Sequence, residues 1–209
     1  MIRSDRRFWP LATGLAMLAG YVDAIGFQHL GGYFVSFMSG NGTMLAVRLV
    51  EPDGQGAVAV LATLLGLFVA GVMLGTLVRL SLPHHGQGVL LSLVAALLAV
   101  SAVSGGAGAL AMVVAMGALN ATFERDGEVS IGVTYMTGTL VKIGQHLARM
   151  VAGRARWDWL PYLALWLGFV IGAAMGAWLF PRWGMAALAA ASGAALFGAG
   201  ASWRLRKAI

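Results

Sequence analysis

The sequence predicts an all-α fold, a polytopic transmembrane helix bundle, and three observations carry that prediction. Of the 209 residues, 59% are hydrophobic and 11% charged, with a mean hydropathy of +0.82. A water-soluble domain carries about 25% charged residues, so this chain has too few charges to cover a surface in water. Second, the apolar residues come in runs of about 20, the length an α-helix needs to cross a hydrocarbon layer. Third, backbone N–H and C=O groups in lipid must be satisfied internally, which selects helices over open strands.

The clearest runs cover residues 10–29, 57–80, 87–104, 106–123, 159–180 and 184–203. The first follows Arg3, Arg6 and Arg7 and could imitate a signal peptide. No A-x-A cleavage site follows the Leu11–Val22 run and the rest of the chain is equally apolar, so it reads as a retained first span. Two further segments, 33–50 and 131–150, are shorter and interrupted by polar residues. They read as short broken or re-entrant helices. The expectation is therefore about six full spans plus two short helices in one membrane domain, residues 1–209.

The net charge of +6 is explained by where the charges sit. Arg3, Arg6 and Arg7, then Arg149, Arg154 and Arg156, then Arg204, Arg206 and Lys207 occupy the chain ends and one loop. Basic loops face the cytoplasm, which predicts both termini there and argues against nucleic-acid binding. The chain has no cysteine, so disulfides, thiolate metal sites and a Cys nucleophile are excluded. Adjacent His84 and His85 beside Pro83 do not make a metal site, and Glu124–Glu128 reads as a solvated turn. No metal and no cofactor is expected.

The two polar segments resemble each other. Phe37-Met38-Ser39-Gly40 aligns with Tyr135-Met136-Thr137-Gly138 at an offset of 98, and Gly20-Tyr21-Val22-Asp23 with Gly117-Ala118-Leu119-Asn120 at 97. Gly66, Gly71 and Gly75 fall near the counterparts Gly168, Gly172 and Gly176. Matches in the same order suggest a duplicated unit, 1–104 and 105–209. If both short segments are re-entrant, each half crosses three times and the halves are inverted. If both span, each half crosses four times and the halves are parallel. The models differ on the side of Glu51-Pro52-Asp53; that loop's acids and scarcity of cations favour six crossings.

Asp23 stands within the first span. A carboxylate there costs at least a few kcal/mol and usually faces a bundle interior or a wet cavity, which suggests a proton or cation site, or a structural pairing near the interface. Asn120 is its neutral counterpart. Ser39-Gly40-Asn41-Gly42-Thr43 and Thr137-Gly138-Thr139 can each break one helix and cap the next. Two half-helix N-termini meeting near the midplane would favour an anionic or zwitterionic solute. In 131–150, Met136, Leu140, Ile143, Leu147 and Met150 form one apolar stripe. Thr139, Lys142, Gln145, His146 and Arg149 form the other side, expected to line a cavity or reach the interface. Lys142 could pair with Asp23 or with an anion, and His146 could titrate near neutral pH. Gly71-x-x-x-Gly75 and Gly168-x-x-x-Gly172-x-x-x-Gly176 let backbones approach closely, within the chain or between two copies.

Enzyme signatures are weak. G-x-S-x-G, H-E-x-x-H and the P-loop are all missing, and a Ser39–His146 pair could meet only through tertiary contact. Gly20-Tyr-Val-Asp23-Ala-Ile-Gly-Phe, Phe37-Met-Ser-Gly-Asn41-Gly-Thr43, Asn120-Ala-Thr-Phe and Thr134-Tyr-Met-Thr-Gly-Thr-Leu140 together resemble the YoaK-type bacterial membrane proteins, a domain of unknown function. The resemblance covers nearly the whole chain and implies a bacterial inner-membrane protein; it departs at Ser39 and Gly42, where a Thr-Gly-Asn-Thr-like run is expected. It supplies no substrate. The leading expectation is a transporter or channel for a small solute, possible coupling ion included, sited between Asp23, Asn120 and the two Ser/Thr-Gly breaks. The competing classes are a membrane-embedded enzyme and a non-transporting scaffold.

Overall fold

The computed structural model describes residues 8–83, 85–125, 128–129, 131–154 and 157–207. Arg3, Arg6, Arg7, His84, Arg156 and the tip of the Glu124–Glu128 turn lie outside the described residues. Eight α-helices occur among those described: α1 (Trp9–His29), α2 (Met38–Leu49), α3 (Gln55–Ser81), α4 (Gly86–Val103), α5 (Gly108–Leu119), α6 (Met136–Val151), α7 (Leu160–Trp183) and α8 (Leu188–Lys207). The all-helical expectation holds apart from one two-residue ladder, in which Glu124–Arg125 pairs antiparallel with Glu128–Val129.

Four stretches are long and apolar enough to cross a membrane: Trp9–His29, Gln55–Ser81, Gly86–Val103 and Leu160–Arg204. The last is too long for one crossing. It breaks at Gly184, whose φ of 54° suits a residue without a Cβ, and a 3-10 turn over Gly184–Ala187 starts α8. The expected start of the last span at 184 is therefore four residues early. Gly108–Phe123 is a shorter apolar helix, finished by a 3-10 turn over Asn120–Phe123. With it, and with the last stretch divided into α7 and α8, six apolar helices among the described residues are candidate spans.

Helix directions follow from which residues meet. A Cβ on Gly168, Gly172 or Gly176 would strike the backbone of Thr13, Met17 or Tyr21, so α7 runs parallel to α1 at backbone contact. A Cβ on Gly71 or Gly75 would strike the backbone of Val114 or Ala118, so α3 runs parallel to α5. Ser192 donates its hydroxyl to the Ala95 carbonyl at 2.8 Å while Gly88 lies under the Trp203 ring, which sets α8 antiparallel to α4. Tyr21 donates to the Ala187 carbonyl at 2.8 Å and Leu15 approaches Gly198, so α8 is also antiparallel to α1. Gln87 reaches the Thr122 carbonyl while Gly108 abuts Ser101, so α5 opposes α4. Helices α1, α4 and α7 therefore run one way and α3, α5 and α8 the other.

In this arrangement α1 and α8 bring their outer ends, Trp9 and Lys207, to the same face of the bundle. The loop over 51–54 and the one ending at Arg154 lie at opposite faces. Gly66, aligned with Gly168 on sequence, does not share its role: a Cβ at Gly66 meets nothing within 4 Å. The register is 101 residues at Gly71/Gly172 and Gly75/Gly176, which puts Leu67 opposite Gly168.

Candidate functional site

Neither short helix is long and apolar enough to cross a membrane: α2 has 12 residues and α6 has 16. After α1 the chain turns through Gly31 and Gly32, both at positive φ, and runs back alongside α1 before α2 begins. Asp23 holds this returning segment: its Oδ1 accepts the backbone N–H groups of Val35 at 2.9 Å and Ser36 at 2.8 Å. Asn41, fully buried, clamps the same segment from α2, accepting the Phe34 N–H at 3.1 Å and donating to the Phe34 carbonyl at 2.7 Å. Non-helical backbone inside an apolar bundle needs such partners, because each unmet polar group is costly.

The second short helix is held differently. Asn120 donates to the Met116 carbonyl at 2.9 Å, and its Oδ1 accepts the Thr134 hydroxyl at 2.7 Å. One neutral amide and one hydroxyl do here what a carboxylate and two backbone N–H groups do at Asp23.

The helix starts match each other closely. The N-cap residues are Phe37 (φ −86°, ψ 71°) and Tyr135 (φ −85°, ψ 58°), and neither start carries a side-chain cap. The expectation that Ser39 and Thr137 cap these helices is therefore corrected. Both lie one residue inside the helix, because Met38 and Met136 bond back to the Ser36 and Thr134 carbonyls at 3.0 and 2.9 Å and begin the helix earlier.

Both starts open on one pocket of about 540 Å³. Ser39, Thr137 and Gly138 line it, with Asp23 at its wall and Ser36 and Thr134 beside the helix starts. The remaining wall is apolar, made by Met38, Met136 and five aromatic rings: Phe34, Phe37, Phe68, Tyr135 and Phe169. Phe34 packs edge-on against Phe37, centroids 5.1 Å apart, so that side of the wall is a connected aromatic surface.

Not every expected site residue reaches this pocket. Asp23, Ser39, Thr137 and Gly138 line it; Gly40, Asn41, Thr43, Asn120, Thr139, Lys142 and His146 do not. Asn41 and Asn120 stand behind the wall as supports. Thr43 and Thr139 bond back to the Ser39 and Tyr135 carbonyls, each at 3.1 Å, within their own helices. Lys142 does not pair with Asp23; its Nζ lies 5.3 Å from the centre of the Tyr162 ring, on which His146 also stacks. The polar side of α6 does not line the pocket: Lys142, Gln145 and Arg149 are exposed on the outside of the bundle. Leu140, from the apolar stripe, is exposed too, because α6 touches the bundle through a narrow line of residues against α7.

The sequence reading missed Phe68 and Phe169. They stand three residues before Gly71 and Gly172, in the same register of 101, so the glycine alignment carried the signal that could have found them.

Comparison with known proteins agrees with this architecture. A family model described as a protein of unknown function, DUF1275, matches residues 11–201. The chain belongs to that family. It is the YoaK-type family that the ordered motifs resemble. The UPF0700 transmembrane protein RA0705 of Rhizobium meliloti (strain 1021) is similar to this chain at 37% identity over 201 residues, covering 93% of this chain and 86% of the relative. No solved structure matches it. Family membership and the apolar helices identify a multi-pass membrane protein, and neither names a substrate.

Proposed function

We propose that this family member is a transporter or channel for a small anionic or zwitterionic solute, bound in the pocket between the two short helices. One observation carries the reading: α2 and α6 both begin at that pocket, which lies among the spans. A helix start presents N–H groups without partners of their own and the positive end of the helix dipole, equivalent to about half a charge. Two such starts around one cavity, built from half-spanning helices, are a recurrent way to hold a charged solute within a membrane.

The paired arrangement supports a duplicated unit with inverted halves, 1–104 and 105–209. The first half runs as α1, α3 and α4, the second as α5, α7 and α8 with each direction reversed. Each half's leading span packs on the other half's second span, α1 on α7 and α5 on α3, and opposite tilting of two such units gives a basis for alternating access. The positive-inside bias supports an inner-membrane location with both termini cytoplasmic. Among the described residues, Arg79, Arg149, Arg154 and Arg204 lie towards the face where α1 begins and α8 ends, and Arg48 and Arg182 towards the other.

Coupling to an ion or proton through Asp23 belongs to this reading. An enzyme built on Ser39 and His146 gains no support, because His146 stacks on Tyr162 away from the pocket. The glycine faces of α3 and α7 are engaged by α5 and α1 of the same chain, so a homo-oligomer would use other surfaces. The test is uptake into proteoliposomes across a panel of small charged solutes. Uptake of one solute that depends on an imposed ion gradient, and that is lost or uncoupled in Asp23→Asn, is the expected result. A scaffold would give no uptake and would tolerate substitution of both Asp23 and Ser39.

A further inference from the structure

Resting on the reading of this pocket as a solute site, the charges around it narrow what the solute is. Asp23 is the charged residue in the lining, which holds no Lys, Arg or His. The cation that could have balanced it, Lys142, is held over Tyr162. A simple anion in the pocket would therefore meet a carboxylate with no basic side chain facing it. The two helix starts contribute about half a positive charge each, and α2's is already faced by Asp23 through the Val35 and Ser36 N–H groups. That leaves a site close to neutral in sum but strongly dipolar: negative at Asp23, positive at the start of α6.

Anchoring such a segment does not require a carboxylate. In the second half Asn120 anchors the equivalent segment while neutral, through Thr134. An amide at position 23 would be cheaper to bury, since an ionised carboxylate in an apolar bundle costs at least a few kcal/mol more than a hydrogen-bonded neutral group. A carboxylate kept where an amide could accept the same N–H groups offers what an amide lacks, a counter-charge for a cationic partner. The wall next to it supplies the other half of a cation site: Phe34, Phe37, Phe68 and Phe169 line the same pocket, and aromatic rings beside a carboxylate are the surroundings in which organic ammonium groups are bound.

We propose that the solute is a zwitterion whose ammonium group sits between Asp23 and the phenylalanine faces and whose acidic group points to the first turn of α6 at Thr137 and Gly138. The apolar remainder of the wall, with Met38, Met136 and Tyr135, fits an aliphatic or aromatic body rather than a sugar.

The test is a matched ligand series on the detergent-purified full chain: leucine, isopentylamine with the acid removed, and 4-methylpentanoate with the amine removed. Binding is read by calorimetry. The expected order is leucine, then isopentylamine, with 4-methylpentanoate at least 10-fold weaker than leucine. Asp23→Asn, which keeps an oxygen to accept the backbone N–H groups, should bring leucine down to the level of 4-methylpentanoate. Phe68→Leu should weaken isopentylamine several-fold and leave 4-methylpentanoate unchanged, a readout available even if Asp23→Asn does not fold. If 4-methylpentanoate binds as well as leucine, and equally to Asp23→Asn, the ammonium subsite is wrong while the solute pocket stands. Asp23 then serves as a proton or cation site. If no member binds and none protects a Ser39→Cys or Thr137→Cys thiol from alkylation, both the subsite and the pocket reading fall.

Discussion

The Asp23 carboxylate accepts the backbone N–H of Ser36 at 2.8 Å across thirteen residues of chain, joining the last third of the first span to the segment that starts α2. The same oxygen also takes the Val35 N–H. Position 23 is thus a backbone anchor as well as a pocket wall. The two roles separate on substitution. Asp23→Ala leaves two buried N–H groups unmet and should cost about 1.5–3 kcal/mol. Asp23→Asn retains an acceptor and should melt well above the alanine variant in detergent. Equal melting temperatures for the two would show that the anchor contributes nothing.

Asn41 is the matching support on the α2 side, with both amide atoms on the Phe34 backbone. Asn41→Ala removes both bonds from a fully buried site and should destabilise the protein by about 1–3 kcal/mol. Thr43→Val, which deletes only an exposed bond within the helix to the Ser39 carbonyl, should stay within about 0.5 kcal/mol of the parent. Thermal unfolding of the two variants side by side checks the contrast, and a larger loss at Thr43 would contradict it.

Glycine is required where helices meet backbone to backbone. Gly172→Ala would drive a methyl into the Met17 carbonyl, and Gly71→Ala into that of Val114. Each should cost about 1–3 kcal/mol and lower the yield of monodisperse protein. Gly66→Ala meets open space and should be neutral or slightly stabilising, since alanine favours a helix by about 1 kcal/mol over glycine. Size-exclusion profiles of the three variants test the pattern; a damaged Gly66→Ala would show that the pairing is misplaced.

Topology is open to a direct test because the chain has no native cysteine. Single cysteines replacing Asp53 and Gly153 should label from opposite sides of the membrane with an impermeant maleimide. Labelling of both from one side would require an even number of crossings between them and would remove the inverted arrangement.

Much of this protein is legible in the chain alone. The charge-poor, strongly apolar composition and the spacing of runs near 20 residues determine a helical membrane bundle, because lipid leaves a backbone few other ways to satisfy its hydrogen bonds. The shortness and polarity of 33–50 and 131–150 likewise mark the two segments that fail to span, and Asp23 stands out because a membrane helix rarely carries a carboxylate. Only the tertiary structure decided which residues share a pocket. Lys142 and His146 share a helix with Thr137 and Gly138, yet α6 turns them onto Tyr162, and periodicity cannot say which face of an amphipathic helix meets its neighbour when lipid, water and protein all compete for it. Phe68 and Phe169 lie far in sequence from the short helices, and glycine contact between α3 and α5 and between α7 and α1 carries them to the site. Side chains that converge from separate spans are brought together by packing, a property of helix pairs rather than of any one segment.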